Sequence, residues 1–124
     1  MAVKVSEKVF QRQIVELAHR LRWKIVHFRP AMTSHGWRTP VQGDGTGFFD
    51  CIMFKPPRLI LAELKSDTGK LTKGKVILTG RRSKYVMGEE DWKQIYLQYP
   101  YIEVYVWRPV DLEEIARILQ RPTV

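Results

Sequence analysis

Apolar positions recur at helical spacing across residues 6 to 22, SEKVFQRQIVELAHRLR, where Phe10, Ile14, Leu17, Ala18 and Leu21 share one face. Ser6 stands at the N-cap position. The pattern then shortens. WKIVHF (23 to 28), FFDCIMF (48 to 54) and LILAELK (59 to 65) read as strands, with KPPR a tight connection between the last two. RPAMTSHGWRTPVQGDGTG (29 to 47) is a long loop rich in Gly and Pro, a length often tied to function in a small domain. Residues 70 to 87 predict a hairpin turning near Gly80. GEEDWKQIYLQY (88 to 99) reads as a helix and YIEVYVWR (101 to 108) as a strand. DLEEIARIL closes the order as a helix, with Asp111 three residues before Glu114 in the manner of a capping box. This order predicts an α/β fold, a mixed central β-sheet flanked by helices. No repeat or linker interrupts it, so residues 1 to 124 read as one unit.

Composition narrows the function classes. Lysine and arginine outnumber acids by 21 to 13, giving a net charge of +8 and a pI near 9.8. That excess favours a polyanionic partner, nucleic acid first. No apolar run reaches membrane-span length, and the N-terminal MAVKVSEKVFQRQ turns polar too early for a secretory signal. One cysteine, Cys51, allows no internal disulfide, so a cytoplasmic location is expected. Cys51 lies in an apolar strand and reads as a small core residue. His19, His27 and His35 lack zinc-site spacing, and GDGTG lacks the trailing Lys-Ser/Thr of a phosphate-binding loop. Trp92, Tyr96, Tyr101, Tyr105 and Trp107 read as core or interface positions.

Chemistry concentrates in the two adjacent strands. Glu63 and Lys65 interrupt an aliphatic run, and residues two apart on a strand share a face. Asp50 precedes the neighbouring strand, so pairing brings it to Glu63 at one sheet end. Two carboxylates ~4 Å apart repel by about 4 kcal/mol at an effective dielectric of 20. A hard cation such as Mg²⁺ relieves that repulsion using a few carboxylate oxygens and waters, and Lys65 can stabilise charge on a phosphate. The basic stretch carries Lys70, Lys73, Lys75, Arg81, Arg82 and Lys84. It reads as a hairpin tracking DNA phosphates, against the alternative of a solvated edge strand.

Asp50, twelve residues, then Glu63-x-Lys65 is the signature of the PD-(D/E)XK nuclease superfamily. With GTGFFD, LILAELKSDTGKLT, LAHRLRWKIVHFRPA and YIEVYVWRPVDLEEIARIL, the chain from about residue 6 to 119 resembles the small stand-alone phage and bacterial members of the virus-type replication-repair nuclease (VRR-NUC) family. Phe49 stands where that family has Pro, and Glu89 or Glu90 stands at its helix Gln, with Gln94 one turn later and Trp92 in register. The segment from about Lys73 to Met87 looks like an insertion.

The resemblance implies a metal-dependent endonuclease with a PD-(D/E)XK core, selective for branched DNA such as four-way (Holliday) junctions. It implies that Asp50, Glu63 and the main-chain carbonyl of Leu64 hold Mg²⁺ or Mn²⁺. A water aligned by Lys65 would attack the phosphodiester in line. It further implies an acidic or amide residue from the first helix. From Phe10 at 0°, Glu7 falls near about 60° and Gln11 near about 100°, on the edge of the apolar face, whereas Glu16 falls near about 240°. Glu7 and Gln11 are therefore the candidates. A homodimer is expected, since two cuts need two sites, in a bacterial or phage-infected cell. The other readings are a nucleic-acid-binding module with this fold but weak or no catalysis, and a site-specific restriction-like endonuclease.

Overall fold

The computed structural model describes residues 5–28, 31–33, 36–38 and 43–122. Helix α1 (Glu7–Arg20) starts where the Ser6 hydroxyl accepts the Val9 N–H at 3.2 Å, satisfying one of the free donors of the first turn. Its Phe10, Ile14 and Ala18, spaced one turn apart, are fully buried. Arg22, at φ 67°, reverses the chain into β1 (Lys24–His27). The loop expected over residues 29 to 47 contains a small antiparallel hairpin, β2 (Ala31–Thr33) with β3 (Gly36–Arg38). Its apolar and polar positions are too few to show a period. His35 lies outside the described residues.

The main sheet has β1, β4 (Cys51–Lys55), β5 (Arg58–Leu64) and β8 (Ile102–Trp107) in the spatial order β1-β4-β5-β8. The first three run antiparallel, and β8 lies parallel to β5. The KPPR connection therefore makes β4 and β5 neighbours, as its length predicts. A parallel pair needs a crossover. Here the crossover carries β6 (Lys75–Thr79), β7 (Arg82–Val86) and α2 (Glu89–Tyr96). After β8, a 3₁₀ turn (Pro109–Asp111) leads into α3 (Leu112–Gln120). The expected capping box is absent at this point: Asp111 Oδ2 accepts the Arg108 N–H at 3.0 Å instead, closing the 3₁₀ turn before the helix begins. Asp111 still stands at the N-cap of α3, where the helix was expected to start, but at φ −89° and ψ 5° and without a side-chain capping bond.

Helices flank both faces of this mixed α/β sheet. On one face α1 and α3 cover Cys51, Met53, Ile60, Ala62 and Leu64. The Trp23 indole N–H, buried beneath, donates to the Leu119 carbonyl at 3.0 Å and ties the two helices' layer together. On the other face α2 covers Phe49, Leu61, Ile52, Val104 and Val106, with Tyr96 and Trp92 as its contact residues. Strand β5 is thus buried from both sides, which is why its sequence runs aliphatic rather than alternating. Among the described residues no helix is long and apolar enough to cross a membrane.

Candidate active site

The β4–β5 register pairs Cys51 with Ala62 and Ile52 with Leu61, so the next step places Asp50 across from Glu63. By strand alternation both point to the α2 face, with Leu61 and Ile52. Asp50 Oδ2 accepts the Leu64 N–H at 3.2 Å, holding its carboxylate against the end of β5. The chain reaches Asp50 through a braced turn. Trp92 donates its indole N–H to the Thr46 carbonyl at 2.9 Å, and Phe48 meets Trp92 and Tyr96 edge-on.

Phe49 is fully buried, and its N–H donates to the Tyr96 hydroxyl at 3.2 Å. A proline at this position could not make that bond. The turn before Asp50 is therefore set here by a ring in the core and a backbone hydrogen bond rather than by a fixed φ. Burial, working against the Phe49 hydrogen bond, pushes the Tyr96 phenol up to about 12, so it stays neutral.

Glu63 is 1 % exposed. Its Oε2 is sealed from solvent and finds no hydrogen-bond donor among the described residues. Its neighbours are Asp50 and Glu89, both carboxyls that only accept when ionised. Burial first, then those two carboxyls, push the Glu63 carboxyl far above the usual carboxylate range. Such a group needs a proton or a cation.

Lys65 pairs with Glu89, Nζ to Oε1 at 2.7 Å. Burial works to lower the Lys65 ammonium, and the Glu89 contact outweighs it, so Lys65 stays charged. Burial likewise works to raise Glu89, but its hydrogen bonds to Glu63, Lys65 and the Thr72 N–H hold it below the usual range. Glu89 is placed by the first turn of α2. Gly88 has no side chain to cap that helix, and Thr72 does so from a distance: its hydroxyl accepts the Glu89 N–H at 3.0 Å and its carbonyl the Glu90 N–H at 3.0 Å. The Thr72 N–H returns a bond to Glu89 Oε1 at 2.8 Å. Arg108 holds the strap after β5, donating to the Ser66 and Gly69 carbonyls at 2.6 Å each.

The structure thus brings Asp50, Glu63 and Lys65 together, with the Leu64 peptide beside Asp50. It adds Glu89, which the sequence marks only as standing near the family's Gln. Its signal is the first turn of a helix that the sheet order returns to the β5 end. Glu7 is exposed and Gln11 half-buried on α1, the helix covering the opposite face of the sheet. Among the described residues no hydrogen bond or ion pair joins them to the four. Lys75, Arg82 and Lys84 lie on the β6–β7 hairpin, Arg81 in its turn and Lys70 and Lys73 on the approach to it, all exposed. A cleft of about 560 Å³ opens between Thr46, Thr72, Lys73, Lys75 and Glu89, so the hairpin base borders the carboxylate cluster.

The buried, unpartnered Glu63 oxygen facing the Asp50 carboxylate is donor chemistry that fits Mg²⁺, which takes one or two carboxylates. Among the described residues no group of three or more His, Cys, Asp or Glu side chains is placed to hold a metal ion. Compared with protein-family models, curated proteins and solved structures, the chain matches none.

Proposed function

We propose that the chain is a metal-dependent endonuclease of the VRR-NUC type, with a PD-(D/E)XK core, cutting phosphodiester bonds in branched DNA as a homodimer. The observation that carries this reading is Glu63: a fully buried carboxyl with an unpartnered oxygen, facing Asp50, beside a charged Lys65. A sheet interior does not keep such a group for stability, because replacing buried charges by apolar residues is often neutral or favourable. The +8 charge and the cations beside the cleft supply the affinity for a polyanion.

Asp50 and Glu63, with the Leu64 carbonyl, are the residues that would hold Mg²⁺ or Mn²⁺. When bound, the ion would neutralise both carboxylates, activate water and stabilise the leaving oxygen. Lys65 holds a fixed positive charge next to the carboxylates, where it orients a water and draws the phosphate oxygen toward the site. Glu89 fixes the Lys65 side chain through the 2.7 Å pair and so positions it.

The test is cleavage of an end-labelled four-way junction beside matched linear duplex, with Mg²⁺, Mn²⁺ or EDTA, by wild type and Glu63→Ala. Metal-dependent cuts confined to the junction and absent in the variant are expected. A wild type that binds the junction yet leaves it whole with either metal would sink the catalytic reading in favour of a binding module. Equal cutting of linear duplex would remove the branch selectivity.

A further inference from the structure

The β6–β7 hairpin has two chemically different faces. Cross-strand partners share a face, so Val76 with Tyr85 and Leu78 with Ser83 form one side. Lys75 with Val86, Ile77 with Lys84 and Thr79 with Arg82 form the other. The first side is apolar and open: Leu78 is 79 % exposed, Val76 62 % and Tyr85 53 %. Neither strand belongs to the main sheet, so these side chains do not serve its core.

Tyr85 is also held still. Its hydroxyl donates to Asp91 Oδ2 at 2.8 Å, and the same oxygen accepts the Gly88 N–H at 3.0 Å. The ring lies over Gly74, where any Cβ would strike the Tyr85 and Asp91 side chains. An exposed aromatic ring fixed at its far end is a preorganised platform and loses little freedom on binding.

The charge along the hairpin and its approach selects the partner, with Asp91 at the Tyr85 hydroxyl the acid next to it. From Thr68 to Met87 the chain has six cations and no acid. A second copy docked through this face would bring two such sets together, whereas a polyanion meets both faces well. We propose that the hairpin is a branch-point reader: Leu78 and Tyr85 pack against bases left unstacked at a DNA discontinuity while Lys75, Arg82 and Lys84 follow the phosphates. Apolar side chains inserted at base steps and aromatic rings stacked on bases are established ways for proteins to hold opened DNA. The proposal rests on the nucleic-acid reading above and not on catalysis.

Its test is binding in EDTA of a four-way junction with 2-aminopurine beside the branch point, against the same duplex without a branch, using wild type, Leu78→Ser and Arg82→Gln. Leu78 is too exposed for its loss to disturb the fold, which an unchanged melting curve verifies. Leu78→Ser should weaken junction binding about tenfold, leave duplex binding within about twofold and abolish the fluorescence change seen with wild type. Arg82→Gln should weaken both substrates alike. Unchanged junction affinity and fluorescence in Leu78→Ser would overturn the inference alone, and so would a dimer that Leu78→Ser converts to monomer in sedimentation. Wild type that binds neither DNA would overturn the nucleic-acid reading together with it. Cleavage of the same junction in Mg²⁺ is scored separately, so a catalytic failure leaves the binding result standing.

Discussion

Glu63 sets the pH behaviour of the metal-free chain. Its folded pKa is raised above the ordinary carboxylate value by burial, then by Asp50 and Glu89. Between those two values the folded state holds a proton that the unfolded state has lost. Stability therefore falls as pH rises through that window, by up to about 1.4 kcal/mol per pH unit for one proton. Glu89, held low, is ionised in both states above the ordinary range and adds no slope there. In EDTA, Glu63→Gln should be the more stable protein above about pH 7 and lose this slope. Urea unfolding across that range checks it, and a wild type no less stable than Glu63→Gln at alkaline pH contradicts it. Mg²⁺ should stabilise wild type more as pH rises, since the ion competes with the proton for the same oxygen. Tyr96 supplies a second residue-level test. Removing its hydroxyl in Tyr96→Phe leaves the buried Phe49 N–H without its acceptor, which should cost about 1–3 kcal/mol in denaturant unfolding.

Beside their side-chain contacts, the elements around the site also meet backbone to backbone. Gly47, at φ 80°, approaches Gly88 so closely that a Cβ on it would lie 2.7 Å from the Gly88 carbonyl carbon. Gly88 in turn faces the Lys73–Gly74 backbone. The turn that delivers Asp50, the start of α2 that delivers Glu89 and the hairpin base therefore form one contact. Gly47→Ala should strain both φ and that contact, lowering the melting temperature and cutting activity. Equal stability and activity to wild type would show that the contact can relax freely. This joint was invisible in the sequence, where GDGTG shows only that it lacks the trailing Lys-Ser/Thr of a phosphate-binding loop. The strands were legible because β4, β5 and β8 carry their burial in their own residues and β1 alternates exposed with half-buried positions. The Asp50–Glu63 meeting was legible because KPPR left β5 no other partner for β4. Thr72 and Glu89 were not, because a helix capped from seventeen residues away leaves no local signal. Asp111 misled for the opposite reason: the spacing fits a cap, but its side chain accepts the Arg108 N–H instead.

Across the whole molecule, the acid-free run with the most cations lies beside the site. From Thr68 to Met87 the chain has six cations and no acid, and Lys73 and Lys75 border the cleft beside Glu89. Elsewhere among the described residues, Arg58 pairs with Glu103 and Arg117 with Glu114. Binding to duplex DNA should then draw most of its salt dependence from the basic segment. Each phosphate neutralised contributes about 0.9 to the slope of log affinity against log salt. Arg81→Gln with Arg82→Gln should lower that slope by about 2 if both side chains reach phosphates. Arg117→Gln, on α3 across the sheet and already paired, should leave it unchanged. Titrations of a labelled duplex at several salt concentrations in EDTA separate the two outcomes. A slope that falls equally for both variants would mean that net charge alone drives binding. A fall confined to the hairpin variant would mean that DNA lies along the hairpin and over the cleft, next to Asp50, Glu63 and Lys65.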